Sequence, residues 1–556
     1  MPSDAPLPSP TPTPPAGPDL GGALAGAIRV VFGFTLLSRF AGLAREVLTA
    51  RVLGDTIYGS AFAAAFIVPN LFRRLFGEGA LSAAFLPEYT RLSKSDPDLA
   101  ARLASVVVAA LTLVTGTLTL ILMGILLGCL WGGVGGPDSA LSIKLTMVML
   151  PMMPMVCITA ILGGMLQSHG RFAAPAAAPI LLNVFMIAGA LTHFFLPAST
   201  VDLAREQAAY WIAIGAVVAS VAQIVWSLAA LRPVVRWTRV VSGVSESSRT
   251  VLRRFGPVAI GLGALQLSTL ADQVIAMWPI WVGPTMFGHP VPLDESSNAI
   301  LSNTSRFYQF PLGVFGLAVA TAVFPLLSRT ADNPAQFADM LRRGIRVSLL
   351  IGLPASIGLW AVAPDLTAVM LEGGSLAFSA EGVDRAAAVL VGFAPAVWAF
   401  SLNNVLTRAF YARGDTRTPM TISLISVAVS LGLNFALIWP LREAGLAWAT
   451  AISGGVQFLL LVFALKRRGL WVFDAPTFRG CLRIAMAAAG MTIALVALRM
   501  VMPSPTTWSE HAGRLAALVA AGAGSFGVLA LLARLPELRW LAAKAPPGGV
   551  GAAFME

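Results

Sequence analysis

Five arginines stand where a membrane-crossing chain accommodates charge least easily. Arg39, Arg45, Arg73, Arg74 and Arg306 each lie inside a long apolar stretch. At about 1.5 Å per helical residue, Arg39 sits roughly 15 Å beyond Arg29, near the middle of its stretch. An arginine at the centre of a bilayer helix costs about 2.5–3.5 kcal/mol, so four of them cost on the order of 10 kcal/mol before compensation. A fold keeps such residues only with partners or water around them. Guanidinium groups offer fixed positive charge and paired donors that match a phosphate. The chemistry this suggests is a water-filled cationic cavity in which Arg39, Arg45, Arg73 and Arg306 hold a phosphorylated or otherwise anionic substrate. Simpler uses compete. Arg45 can snorkel outward or pair with a carboxylate, and Glu46 adjoins it. Arg74 can pair with Glu78 at i,i+4. Arg306 has no obvious acid near it. Arg39 and Arg45 are six residues apart and point about 120° away from each other on a regular helix, so one cavity takes both only if it is wide or if Gly42 lets the helix bend.

Other residues invite a role in the same place. Pro69-Asn70 interrupts its stretch just before Arg73. Proline removes a backbone hydrogen bond, and such breaks are tolerated where they line a cavity. Pro69, Asn70, Arg74, Glu78 and Gly42 are therefore candidate cavity or gating residues. Asp272 lies in a further apolar stretch with no neighbouring base. It either takes a coupling sodium ion or proton, or pairs with an arginine across the bundle. The three cysteines have no metal-ligand spacing and read as small packing residues. No paired aspartates of the kind that hold Mg²⁺ occur within the apolar stretches, so no catalytic residues and no cofactor beyond a coupling ion are expected.

The elements that position these residues follow from composition. The chain has 556 residues, of which 57% are hydrophobic and only 12% charged. Its mean hydropathy is +0.78. A soluble protein of this size needs far more charge on its surface. The expected class is an all-α polytopic membrane protein. Fourteen stretches, from 23–51 to 511–535, exceed the ~20 residues that a bilayer helix needs. Basic residues crowd alternate loops, such as Arg342, Arg343 and Arg346, while Asp138, Asp294 and Glu295 fall in the others. By the positive-inside rule the basic loops and both termini are cytoplasmic. The net charge of +11 is then a topology signal rather than a nucleic-acid site.

Two echoes point to an internal repeat. LQSHGRFAAP at 166–175 parallels FYARGDTRTP at 410–419, with Gly170 matching Gly414 at an offset of 244. Phe76-Gly77 parallels Phe315-Gly316, and Phe85 parallels Phe324, at an offset of 239. The expected organisation is a disordered proline-rich cytoplasmic tail at 1–20, a first six-helix lobe at 21–232, a linker at 233–251, a second six-helix lobe at 252–468, a final helix pair at 469–545 and a tail at 546–556. Parallel repeats of this kind surround a central cavity in transporters.

The runs SRFAGLAREVLTARVLG at Ser38–Gly54 and VPNLFRRLFGEGALSAAFLPEY at Val68–Tyr89 resemble the MurJ/MviN family of lipid II flippases. LQSHGRFAAPAAAPILLN, FPLGVFGLAVATAVFPLLSR and AFYARGDTRTP agree, and the resemblance covers residues 25–540. It implies the fourteen-helix fold of the multidrug/oligosaccharidyl-lipid/polysaccharide exporters. It implies that lipid II, an undecaprenyl-pyrophosphate disaccharide-pentapeptide, moves from the inner to the outer leaflet of the bacterial inner membrane, with Arg39, Arg45, Arg73 and Arg306 on the pyrophosphate. It implies a lipid-tail groove in the final helix pair, and alternating access helped by membrane potential and in some members by sodium. Membrane lipids and cell-wall synthesis or division proteins are expected partners; nucleic acid is not. This chain departs from the family at Ser60, where some members are acidic, and in a longer loop at 285–298. The competing functions are an exporter of another polyprenyl-linked glycan, a drug exporter, an enzyme on polyprenyl phosphates and a scaffold. A basic cavity disfavours cationic drugs.

Overall fold

The structure is a computed structural model that describes residues 20–77, 80–135 and 137–542. Glu78 and the two expected tails lie outside the described residues, except that Leu20 already belongs to the first helix. The chain is helical almost throughout. The first half comprises α1 (Leu20–Leu53), α2 (Ile57–Phe72), α3 (Ala80–Ser95), α4 (Pro97–Trp131), α5 (Pro137–Met149), α6 (Met152–Ser168), α7 (Ala173–Leu191) and α8 (Val201–Leu231). The second half comprises α9 (Ser245–Ala276), the single turn α10 (Trp278–Trp281), α11 (Ser297–Pro311), α12 (Leu317–Arg329), α13 (Pro334–Leu371), α14 (Ala380–Ala412), α15 (Arg417–Leu441) and α16 (Glu443–Arg467). The pair α17 (Ala475–Val501) and α18 (Trp508–Leu532) and the short α19 (Pro536–Ala542) complete it. Helices are the natural answer for apolar runs, because lipid offers no partner for backbone N–H and C=O groups. Among the described residues, eleven helical stretches are long and apolar enough to cross a membrane. The other three expected spans fall on α1, on α2 with α3, and on α9.

Local sequence sets the helix ends. Asp96, Asn333 and Asp474 each cap the helix that follows, accepting from backbone N–H groups at 2.9–3.2 Å, with proline one position on after Asp96 and Asn333 and two positions on after Asp474. Gly170 and Gly414 follow α6 and α14 with φ of +73° and +74°. Arg171 N donates to Leu166 O at 2.9 Å and Asp415 N to Phe410 O at 3.0 Å, the same left-handed glycine cap built twice. The second echo also has a structural counterpart. Arg73–Gly77, between α2 and α3, and Leu312–Gly316, between α11 and α12, are both π-helical. They stand 239 residues apart. A π turn adds a residue to the helical ladder and marks strained, often functional, places.

The cores are divided in the same way. One apolar cluster packs Phe85, Met149, Ile161 and Ile212 within the first half, and two others pack Leu371, Phe393, Phe337 and Phe410 within the second. At the end where α1 finishes, the halves are joined by polar contacts. Ser60 Oγ accepts from Ala299 N at 2.9 Å, and Asn298 Nδ2 donates to the Ser60 carbonyl at 2.9 Å. Residues 60 and 299 are again 239 apart, so repeat-equivalent positions touch, as they do where a two-fold axis passes. Nearby, the Asp55 carboxylate accepts from Ser379 N and Oγ at 2.9 and 2.5 Å, and Arg51 donates to the Val369 and Met370 carbonyls at 2.6 and 3.2 Å.

The 285–298 loop holds a two-stranded hairpin, β1 (Thr285–Met286) and β2 (His289–Pro290), turned by Phe287 and Gly288 at positive φ. Its base is fixed by Asp294, which accepts from Arg385 at 2.8–2.9 Å and from Arg442 at 2.5 Å. Partial burial opposes the charge on Asp294, but hydrogen bonds from Arg385 and Ser296 and the nearby guanidinium groups hold its carboxyl well below the ordinary value. A depressed carboxyl stabilises the fold above its unfolded value and loses that effect as pH falls through its folded one. The stability difference between the wild type and Asp294→Asn should therefore stay constant from about pH 5 to 8 and shrink only below the ordinary 3.8, read by thermal unfolding across pH.

The pair α17–α18 is fastened to α13 at both ends. Asp365, fully buried, accepts from Arg514 Nε and meets His511 Nδ1, both at 3.0 Å, and Arg346 pairs with buried Glu537 beyond α18. Asp365→Ala leaves Arg514, itself 8% exposed, without its carboxylate. We expect a loss of about 3 kcal/mol in unfolding measurements, and much less than additive loss in the double variant with Arg514→Ala.

A cationic cavity between the halves

Two adjoining cavities open between the halves. One, of about 260 Å³, is bounded by α1 and α2 on one side and α9 and α11 on the other, and Arg45, Glu46, Asn70, Arg74, Gln266 and Arg306 line it. The other, of about 610 Å³, extends into the first half and adds Arg73, Gln167 and Gln223. Arg45, Asn70, Arg74 and Arg306 border both. The fold thus brings Arg45, Arg73, Arg74 and Arg306 together from α1, the α2–α3 break and α11.

The break at Pro69 explains how the second of these groups is set. Pro69 lies inside α2, and the helix passes into its π turn four residues later, at Arg73. Asn70 Oδ1 accepts from Arg73 Nε and Nη2 at 3.1 and 2.8 Å, holding that guanidinium along the helix. Arg74 Nη1 crosses to the other half and donates to Gln266 Oε1 at 3.1 Å. Gln266 carried no signal in the sequence. The proposed partner of Arg74 at i,i+4, Glu78, lies outside the described residues.

Glu46 corrects the sequence view of Arg306. Its carboxylate pairs with Arg45 and stands 3.6 Å from Arg306 Nε, so the acid that Arg306 lacks in its own helix comes from α1. Arg45 is 9% exposed, donates to Met186 Sδ at 3.3 Å, and keeps a buried Nε without a protein partner. Among the described residues lining the two cavities, Glu46 is the single carboxylate facing four guanidinium groups, which leaves an excess of three positive charges. An anion with several oxygens suits such a site; a cation does not.

Arg39 and Gly42 stand apart. The helix α1 runs unbroken through Gly42, which lines neither cavity; a Cβ there would meet Asn183, which stands on the wall of the larger one. Arg39 lines neither cavity. Its guanidinium lies against Gly313 of the second π turn, where an added Cβ would come within 3.0 Å of Nη1. The helical phase between positions 39 and 45 keeps them on different sides, as their spacing foreshadows.

Asp272 lies in a third cavity, of about 210 Å³, within the second half. It meets no arginine among the described residues; Asn434 Nδ2 donates to its Oδ1 at 2.5 Å. Asn434 Oδ1 and Ser430 Oγ, on the same face of α15, are buried without protein partners.

These features define a class: a multi-pass membrane transporter in which two halves enclose a charged cavity. Solved structures share the fold. A lipid II flippase MurJ in an inward closed conformation superposes with a TM-score of 0.72 at 20% identity, over 91% of this chain and 98% of that one. An inward-facing multidrug resistance transporter of the MATE family gives 0.60 at 14% identity, over 79% of this chain and 98% of that one. The family model described as lipid II flippase MurJ matches residues 49–512. A probable lipid II flippase MurJ from Rhizobium tropici is 31% identical over 90% of this chain and 93% of its own length, and one from Vibrio cholerae is 30% identical over 92% and 96%. The chain belongs to the MurJ family of flippases, and so to the transporters rather than the enzymes.

Proposed function

We propose that the protein moves lipid II from the cytoplasmic to the outer leaflet of the bacterial inner membrane, with the pyrophosphate held by Arg45, Arg73 and Arg306 beside Arg74. The observation that carries this is the convergence of those four groups, from both halves, on joined cavities in a chain of this family. Alternating access supplies the movement. The polar seam at Ser60, Asp55 and Arg51 closes one end, and the basic loops mark the other as cytoplasmic. An inside-negative potential assists outward movement of negative charge by about 2.3 kcal/mol per charge per 100 mV. Asp272, Asn434 and Ser430 form an oxygen-rich group suited to a sodium ion or a proton as coupling ion. In this reading α17 and α18 serve the lipid tail, and Arg39 acts outside the cavity.

The test is complementation in cells depleted of their own lipid II flippase, scoring lipid II exposed on the outer leaflet. The wild-type chain should restore both growth and exposure. Normal membrane insertion without rescue would overturn the proposal and favour another polyprenyl-linked glycan as cargo.

A further inference from the structure

The 210 Å³ cavity of the second half abuts the arginine cavity, because Thr269, Gln273, Ser305, Tyr308 and Gln309 border both. Its chemistry is different. Beyond those shared residues it is lined by hydroxyls and amides, including Ser423, Ser426, Thr450, Ser453 and Gln457. Among the described residues that line it there is no lysine or arginine, and Asp272 is the one carboxylate. A phosphate entering this space finds no guanidinium or ammonium group among those residues to hold it. Hydroxyls and amides, by contrast, both donate and accept, which suits an uncharged group rich in the same functions. Two polar atoms at this cavity are also unused by the fold. Ser426 is 6% exposed, and its Oγ has no protein partner; Gln273 Oε1 is buried and has none either. Buried polar atoms are nearly always satisfied, so an orphan hydroxyl lining a polar cavity points to something that binds there. One wall is aromatic: Tyr308 and Phe393 stack with centroids 4.4 Å apart, giving apolar surface beside the donors.

We infer that this cavity is a saccharide subsite, which takes the first uncharged sugar of a pyrophosphate-linked lipid while the pyrophosphate stays among the arginines. The inference rests on the reading of the arginine cavity as the pyrophosphate site. It divides the labour between the two cavities. Arg45, Arg73 and Arg74 of the first half and Arg306 of the second supply charge, and the rest of the second half's wall supplies neutral hydrogen bonds. Cargo lacking a sugar then loses contacts in only one of the two places.

The experiment uses the full-length protein in nanodiscs and three lipids: undecaprenyl pyrophosphate, undecaprenyl-pyrophosphoryl-N-acetylglucosamine and lipid II. Wild type should bind the sugar-bearing lipid about tenfold more tightly than undecaprenyl pyrophosphate, the gain of one or two hydrogen bonds. Ser426→Leu, which fills the cavity, should remove that preference and leave undecaprenyl pyrophosphate affinity unchanged. Ser426→Ala removes a hydroxyl that no protein group uses; it should fold as wild type and lose part of the preference. Equal wild-type affinity for the first two lipids would overturn the inference, as would a preference that survives Ser426→Leu. A preference for lipid II alone would overturn it too, moving the cavity to a part of the headgroup beyond a single N-acetylglucosamine, either its other sugar or its peptide. Failure of wild type to bind any of the three would overturn the pyrophosphate reading itself, a result separate from the others.

Discussion

Arg306→Ala should abolish rescue of flippase-depleted cells at matched membrane levels, while Arg39→Ala should retain a measurable part of it. The two residues looked alike in the sequence, each an arginine deep in an apolar span. They differ in position. Arg306 borders both cavities and faces Glu46 across the seam, whereas Arg39 lies against Gly313. Truncating a charged group that holds a buried ligand charge costs about 3 kcal/mol, roughly two orders of magnitude in affinity. Arg306→Lys keeps the charge but loses the planar fork, so it should fall between wild type and the alanine variant. Purified Arg306→Ala should bind undecaprenyl pyrophosphate about a hundredfold more weakly with its melting temperature close to that of wild type. Equal function of wild type and Arg306→Ala would remove the guanidinium cavity from the mechanism.

The second large effect concerns the seam. A disulfide formed between Ser60→Cys and Ala299→Cys, in a chain with Cys129, Cys157 and Cys481 first replaced by alanine, should stop transport. The Ser60 hydroxyl sits 2.9 Å from the Ala299 nitrogen, so the two positions are close enough to bridge with small backbone adjustment. If the halves must part here to release cargo, the oxidised protein should lose nearly all lipid II exposure and regain it with reductant. Mass spectrometry of the intact protein would report the fraction bridged. Undiminished exposure from a fully bridged protein would rule out parting of the halves at this seam.

Charge in an apolar setting made much of this protein legible. Arg45, Arg73, Arg74 and Arg306 are conspicuous because each is costly alone, and that cost implies company whatever the fold. The internal repeat was legible from a few glycines and phenylalanines. Those residues recur where the backbone needs them, at the caps holding Gly170 and Gly414 and at the π turns ending in Gly77 and Gly316. Helical class followed from hydropathy, since lipid leaves the backbone no other way to satisfy itself.

Partnership was not legible. Nothing in the neighbourhood of Arg306 announced Glu46, which is 260 positions earlier, and nothing marked Gln266 as the group that Arg74 reaches. Asp272 called for a partner, but the sequence did not favour Asn434 over an arginine. Such pairs depend on the way two halves of similar sequence are placed about their seam, and side chains brought together from separate helices leave no mark in either helix. The sequence by itself determined a helical membrane chain, its repeat and the cationic residues it had to shelter. The tertiary structure alone decided which of those residues share a cavity, because that depends on helical phase and on the packing between halves. It also placed beside that cavity a neutral one, whose hydroxyls are ordinary serines and threonines until the fold turns them toward the same space.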